Sequence, residues 1–525
     1  MINLFGPSLT KGYWQNYILL GSLFFTTTTF VESTASDRNI LMDTIISAND
    51  TITRKKLLKL SKEMSVPNRI YNASPFSVIF PGQVKADYKF TSVQYELNHR
   101  KADKEKMEVQ KKLIYSQSDK WTLYSTGLYA IPGQPFYINS PLTTNENDIA
   151  IVVGAHSDFL GVGKRLSETW RRAPGVASYF GVDKHLKYAS SPFGGLIYVA
   201  VRSEADSLDL KIKFDKVIRS PFFQLDKTTL SDWKAQVVNN CAPWGEIASD
   251  NVIITLPDSI LRKIGNPQEL LETWDDIIAS ALELAQIKNH VTRPIRIVVD
   301  KQISNGILHS GYPIMVEHDH AKPANSMDIF TDKQVLLQSS EGGTNWGLFH
   351  ELGHNFQNSD WVFAGTTEVT CNPFSLYIFD KVIHTRNGAH PSIAPDYQKW
   401  LIDKYFADTP SYGRLIEDPF LTLIPFIQIQ AKFGWEPFKR VFHSYIKYPG
   451  PELSAEAATQ KQSEYNQYKI NRFVETLSVA AQANLVPFFR LWGIPVDITV
   501  ETRIADLHPW IPKELQKYNT AAPIY

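Results

Sequence analysis

The stretch Trp346-Gly-Leu-Phe-His-Glu-Leu-Gly-His-Asn-Phe-Gln357 decides the reading of this chain. Leu348, Phe349, Leu352 and Phe356 recur at helical spacing, which predicts a helix with one buried side. His350 and His354 stand four apart, so on that helix they share a face and their rings reach a common point. Two imidazoles so placed can hold one zinc ion through bonds of about 2.0–2.1 Å. Glu351 projects beside them, placed to take a proton from a water at that ion as general base.

The spacing is the HExxH pattern of metallopeptidases. A catalytic zinc site wants three protein ligands and one open position. Glu368 follows His354 by 14 positions, and Ser359-Asp-Trp-Val-Phe-Ala-Gly365 between them is long enough for a loop that returns the chain. Thr366 or Thr367 can cap a second helix starting at Glu368. Two antiparallel helices joined in this way bring Glu368 to the histidine face as the third ligand. Asn372, four residues on, falls on the same face, where a side chain that orients a ligand imidazole belongs. Pro373 predicts a kink just after Glu368, because its ring clashes with the preceding turn.

Outward from this site the chain divides. Its 525 residues are enough for two to four domains. Lys plus Arg and Asp plus Glu balance at 54 each, which gives no global pull on nucleic acid or anionic lipid. The two cysteines, Cys241 and Cys371, exclude a disulfide scaffold; they can pair with each other or remain free thiols. Tyr17–Phe25 is an apolar run after Lys11, and small or branched residues follow, so residues 1–33 read as a signal peptide cleaved after Ser33. That implies a secreted or extracellular protein, with Asn49 and Asn72 in glycosylation sequons.

Residues 34–115 read as a helical and linker region, with apolar residues near helical spacing at 37–64 and a Lys-rich solvated stretch at 85–120. Residues 116–225 hold short β-rich runs between Pro, Gly and Asn turns, which predicts a β-sandwich. Residues 226–525 read as mainly helical: Asn266–Lys288, Gln398–Asp408, Pro419–Lys447 and Tyr468–Trp492 carry helical patterns, and Ile295–Val299 is a short strand.

His350-Glu-Leu-Gly-His-Asn355 followed by Glu368-Val-Thr-Cys-Asn-Pro-Phe-Ser-Leu-Tyr377 resembles metallopeptidase family sixty, the group of viral enhancins, bacterial mucinases and animal channel-associated factors. The resemblance extends through Thr126–Gly133, Ser190–Tyr198, Ala242–Glu246, His309–Met315 and Phe488–Pro495, so it covers roughly residues 116–500. It is nearest to the animal branch, through Thr366-Thr-Glu-Val-Thr-Cys-Asn372. It implies an α+β multidomain chain, a β-sandwich followed by a mainly helical gluzincin metallopeptidase domain with a C-terminal helical subdomain. It also implies a Zn²⁺ enzyme that cuts O-glycosylated, mucin-like proteins, with His350, His354 and Glu368 as ligands and Glu351 as base. The alternative from the same resemblance is a catalytically idle scaffold that regulates a membrane protein such as a cation channel, at the cytoplasmic face of the plasma membrane. Other candidates rank below this site. His309, His318 and His320 read as surface-loop histidines before a second metal site. Tyr312, Trp346 and Trp361 read as packing residues before sugar-stacking ones.

Overall fold

The computed structural model describes residues 46–519 except 79, 114–120, 141–147, 183–184, 319–326, 339–343, 386–388 and 452–460. The leader expected at 1–33, the apolar positions Ile40, Leu41 and Ile45, and His320 lie outside the described residues. Helix α1, Thr51–Glu63, starts where the Asp50 side chain accepts the Thr53 N–H. No helix among the described residues is long and apolar enough to cross a membrane.

Eight strands follow: β1 (Thr91–His99), β2 (Trp121–Ala130), β3 (Phe136–Asn139), β4 (Ile149–Val153), β5 (Ser178–Gly181), β6 (Tyr188–Ala189), β7 (Gly195–Arg202) and β8 (Leu208–Arg219). Alternation in Leu210-Lys-Ile-Lys-Phe214 predicts one wet face, and β8 buries Leu210, Ile212 and Phe214 while exposing Lys211 and Lys213. The sheet order is β5-β4-β7-β2-β8-β3-β6, with β1 on β8. β2 meets β8 only at Leu128 and Tyr129, so the sheet has two halves joined at that point. Leu128, Ile151, Val153, Ile197 and Val199 of one half pack against Leu97, Phe136, Ile138, Ile212 and Phe214 of the other.

Part of the Lys-rich stretch read as linker is therefore strand: β1 runs antiparallel along β8. Helix α2, Lys104–Lys112, takes up the rest of its charged run, capped by Asp103.

The larger difference lies beyond residue 220. Where one strand was expected, six form a mixed sheet: β9 (Phe222–Gln224), β10 (Trp244–Ala248), β11 (Val252–Pro257), β12 (Ile295–Asp300), β13 (Leu308–His309) and β14 (Ile314–Glu317). Their order is β13-β14-β12-β11-β10-β9, with β13 on the edge, antiparallel to β14. β10 is buried at every position and β11 at all but its last, so neither shows the alternation that marks a half-wet strand.

Helix α3, Pro267–Ala285, packs on this sheet with the expected stripe buried, Leu270, Leu271, Trp274, Ile277, Ile278, Ala281 and Leu284. It also packs against α4, Thr344–Phe356. After α4 come α5 (Thr367–Thr370) and α6 (Asn372–Lys381). The long helical pattern from Pro419 is two helices, α7 (Pro419–Phe433) and α8 (Glu436–Lys447), separated at Gly434 with φ 74°. Helix α9 spans Gln462–Ala481 and packs on α8.

Candidate metal centre

Helix α4 buries Trp346, Leu348, Phe349, Leu352 and Phe356, which fixes its roll and brings His350 and His354 to the side facing α5 and α6. Gly353, between the histidines, is what lets the helices close. A Cβ there would lie 2.3 Å from the Cys371 carbonyl oxygen, well inside any permitted contact. The returning segment arrives as expected, with two local differences. Thr366 supplies no side-chain cap; its hydroxyl donates to the Phe363 carbonyl and accepts the Phe363 N–H. The helix that begins at Thr367 ends after one turn at Thr370, and Pro373 occupies the first turn of α6. The expected kink is thus a complete break at Cys371, where proline costs no hydrogen bond.

Across this junction three atoms converge. Glu368 Oε2 lies 3.2 Å from His350 Nε2 and 3.2 Å from His354 Nε2, and the two nitrogens are 3.0 Å apart. Both rings are 3% exposed. Their other nitrogens are held by amides: His350 Nδ1 is 2.7 Å from Asn372 Oδ1, and His354 Nδ1 is 2.6 Å from Gln357 Oε1. The orientation of each amide is fixed by its nitrogen. Asn372 Nδ2 donates to the Glu368 carbonyl, and Gln357 Nε2 donates to the Thr367 carbonyl and to Thr370 Oγ1. Both oxygens can only accept, so both Nδ1 atoms carry hydrogen and both Nε2 atoms present lone pairs.

Two lone pairs and a carboxylate oxygen aimed at one point repel unless a cation sits between them. A tetrahedral zinc with bonds near 2.0–2.1 Å needs ligand atoms about 3.4 Å apart. The residues present fit that ion.

A second trio, His350, His354 and Cys371, also brings its donor atoms within 4.8 Å of one another. Geometry separates the two sets. Cys371 Sγ lies 3.4 Å from His350 Nδ1 and 3.8 Å from its Nε2, nearer the ring nitrogen already taken by Asn372. Burial pushes this thiol up to about 11. Cys371 packs on the imidazole, and Glu368 completes the trio of lone pairs.

Glu351 is half-buried and close enough to His309 and Cys371 to act on their charges. His309 is no loose loop residue: on edge strand β13 its Nε2 meets Asp158 Oδ2 at 3.0 Å and its Nδ1 meets the Ser310 carbonyl at 3.0 Å. Asn355 ties the next residues to α4, exchanging two hydrogen bonds of 3.0 Å with the Gly311 backbone. Trp346 and Trp361 are buried in aromatic clusters, and the half-buried Tyr312 lies under Arg293. Cys241 and Cys371 are both free. Gln357 and the Asp158–His309 pair were not anticipated. Gln357 carried a readable signal, standing three residues after His354 just past the end of the same helix.

Two buried imidazoles from α4 and a partly exposed carboxylate from α5, converging beside a mixed sheet, form the kind of donor set that holds a catalytic zinc in metallopeptidases. The chain belongs to the peptidase M60, enhancin and enhancin-like family, whose model matches residues 216–493, more than half of it. The model for the N-terminal domain of M60-like peptidases matches residues 98–214. Rat TRPM8 channel-associated factor 3 is 32% identical over 409 residues, 78% of this chain and 42% of the rat protein. Human TRPM8 channel-associated factor 2 is 33% identical over 406 residues, 76% of this chain and 41% of its own. The chain therefore spans about two fifths of the length of these relatives. Among solved structures, the Pseudomonas aeruginosa protein IMPa in complex with an O-glycopeptide gives a TM-score of 0.59 at 15% identity, over 89% of this chain and 57% of IMPa. A conserved Bacillus anthracis protein of unknown function gives 0.59 at 21% identity, over 81% of this chain and 80% of that one. These likenesses establish the shared fold.

Proposed function

We propose that the protein is a zinc-dependent endopeptidase that hydrolyses peptide bonds of O-glycosylated, mucin-like proteins. The observation that carries this is the convergence of His350 Nε2, His354 Nε2 and Glu368 Oε2 on one point, with both Nδ1 hydrogens committed to amide oxygens. Those three residues would hold the metal. Zinc bound there would supply Lewis-acid activation of water and of the substrate carbonyl. Asn372 and Gln357 keep the rings in the correct tautomer and orientation. Glu351 takes the proton of the attacking water and returns it to the departing amine. The O-glycopeptide bound to IMPa supports the substrate class. A secreted location, with glycan on the exposed Asn49, belongs to the same reading; full-length chain bearing Met1 and recovered only from cytosol would overturn that part.

The test is incubation of the purified chain with mucin, with and without a zinc chelator. Fragments that appear only without chelator are expected. A second reading, a regulator of a channel protein, draws on the 32–33% identity to the TRPM8 channel-associated factors. Zinc-replete protein that leaves mucin intact and binds a cation channel would decide for it.

A further inference from the structure

We propose that His390 gives a hydrogen bond from Nε2 to the carbonyl oxygen of the peptide bond being cut, where negative charge builds during hydrolysis. The inference rests on the peptidase reading above. His390 stands between α6 and α7, and its Nδ1 accepts the Ser392 N–H at 3.1 Å. A neutral ring held in this way carries its hydrogen on Nε2. That N–H has no partner among the described residues, and the residue is only half-buried, so the donor is open to a ligand.

The ring cannot easily turn. It stacks on Phe420 of α7, 4.6 Å between centroids and 16° from parallel, and it lies 5.3 Å from the Trp346 ring. Trp346 precedes His350 by four residues on α4, so the two residues lie about one turn apart on the same face of the helix. Two aromatic contacts and a backbone hydrogen bond thus fix the ring against the residue that lies one helical turn before His350. Burial lowers the His390 pKa to about 4, which keeps the ring neutral.

The other histidines near the sheet edge do not offer this. Both His309 nitrogens are engaged, by Asp158 and by the Ser310 carbonyl. His156 is buried against the Val299 carbonyl. A fixed donor that needs no reorganisation when charge develops is the kind of group that lowers the barrier by stabilising an oxyanion.

The experiment compares the full zinc-loaded chain with His390→Phe, which keeps the stack and removes the donor, and His390→Gln, which restores an N–H. Zinc content, kcat and KM on mucin-derived glycopeptide, and the tautomer of ¹⁵N-labelled His390 by NMR are measured. Zinc content should not change, and the parent should show hydrogen on Nε2. His390→Phe should lose about 10²–10³-fold in kcat with KM nearly unchanged, and His390→Gln should recover part of the loss. Parent-like kcat in His390→Phe, an effect confined to KM, or hydrogen on Nδ1 would each overturn the assignment while leaving the peptidase reading intact. A parent that cleaves nothing would overturn both.

Discussion

At His350 and His354 the chemistry is set by what lies behind the rings. Asn372 and Gln357 each accept from Nδ1, and that alone leaves Nε2 free to bind metal. Removing either amide should therefore weaken zinc without removing a ligand. Asn372→Ala and Gln357→Ala are each expected to lower zinc affinity on the order of 10–100-fold, read by competition with a chelating dye. Glu368→Ala should lose more, because it deletes the proposed third ligand. Glu351→Gln should keep zinc and fold and lose 10²–10⁴-fold in peptidase activity, since an amide cannot take the proton. If Glu351→Gln cuts mucin as well as the parent does, the base is another residue. The spacing of 350, 351, 354 and 368 was readable in the sequence because helical geometry maps separation in the chain onto position in space. Asn372 was readable by the same rule. Cys371 was not: its place over the His350 ring depends on the break in the helix, which no periodicity encodes.

Elements explain why the pair of helices is so close. α4 touches the α5–α6 junction through Gly353, and a methyl group there meets the Cys371 carbonyl at 2.3 Å. Gly353→Ala must push the histidines away from Glu368. We expect a stability loss of about 1–3 kcal/mol from overpacking, together with weakened zinc binding. Thermal melts and zinc titration of the variant check both; parent-like zinc affinity would mean that the site tolerates the separation. The amphipathic helices α3 and α4 were legible because each has one buried stripe. Most of the second sheet was not, because β10 and β11 are buried on both faces and a short apolar run of that kind has no period to read. The break between α7 and α8 at Gly434 was likewise hidden inside one continuous apolar pattern.

Over the whole molecule, the β-rich unit and the metal-site unit share a core. β7 is buried on both faces: Ile197, Val199 and Val201 face the interior of the first unit, and Leu196, Tyr198 and Ala200 face a core that includes Ile247, Ile254 and Val298 of the second. Polar groups cross the same boundary. Tyr198 donates to Glu246 at 2.9 Å, and Arg296 meets that carboxylate at 2.7 Å. Arg172, between β4 and β5, meets Asp300 at the end of β12 at 2.8 Å, with both side chains fully buried. Burial raises the Asp300 carboxyl to about 6 even with Arg172 beside it. Arg172→Met keeps apolar volume and leaves that carboxylate alone. At pH 8 it should cost about 3–5 kcal/mol, the penalty for an unpaired buried charge. The sign of the pH dependence follows from the raised pKa. The folded state holds the Asp300 proton more tightly than the unfolded chain, whose value is near 3.8, so the charge penalises folding increasingly as pH rises from 4 through 6. Without Arg172 the Asp300 pKa moves higher still, so the variant goes on losing stability above pH 6 where the parent levels off, and the gap should be widest at pH 8 and narrow toward pH 5, measured by urea denaturation. Tryptophan fluorescence and far-UV circular dichroism should report one coincident transition in both proteins, because a shared core melts once. Two separated transitions in Arg172→Met would show that this buried pair, more than the apolar contacts of β7, couples the units.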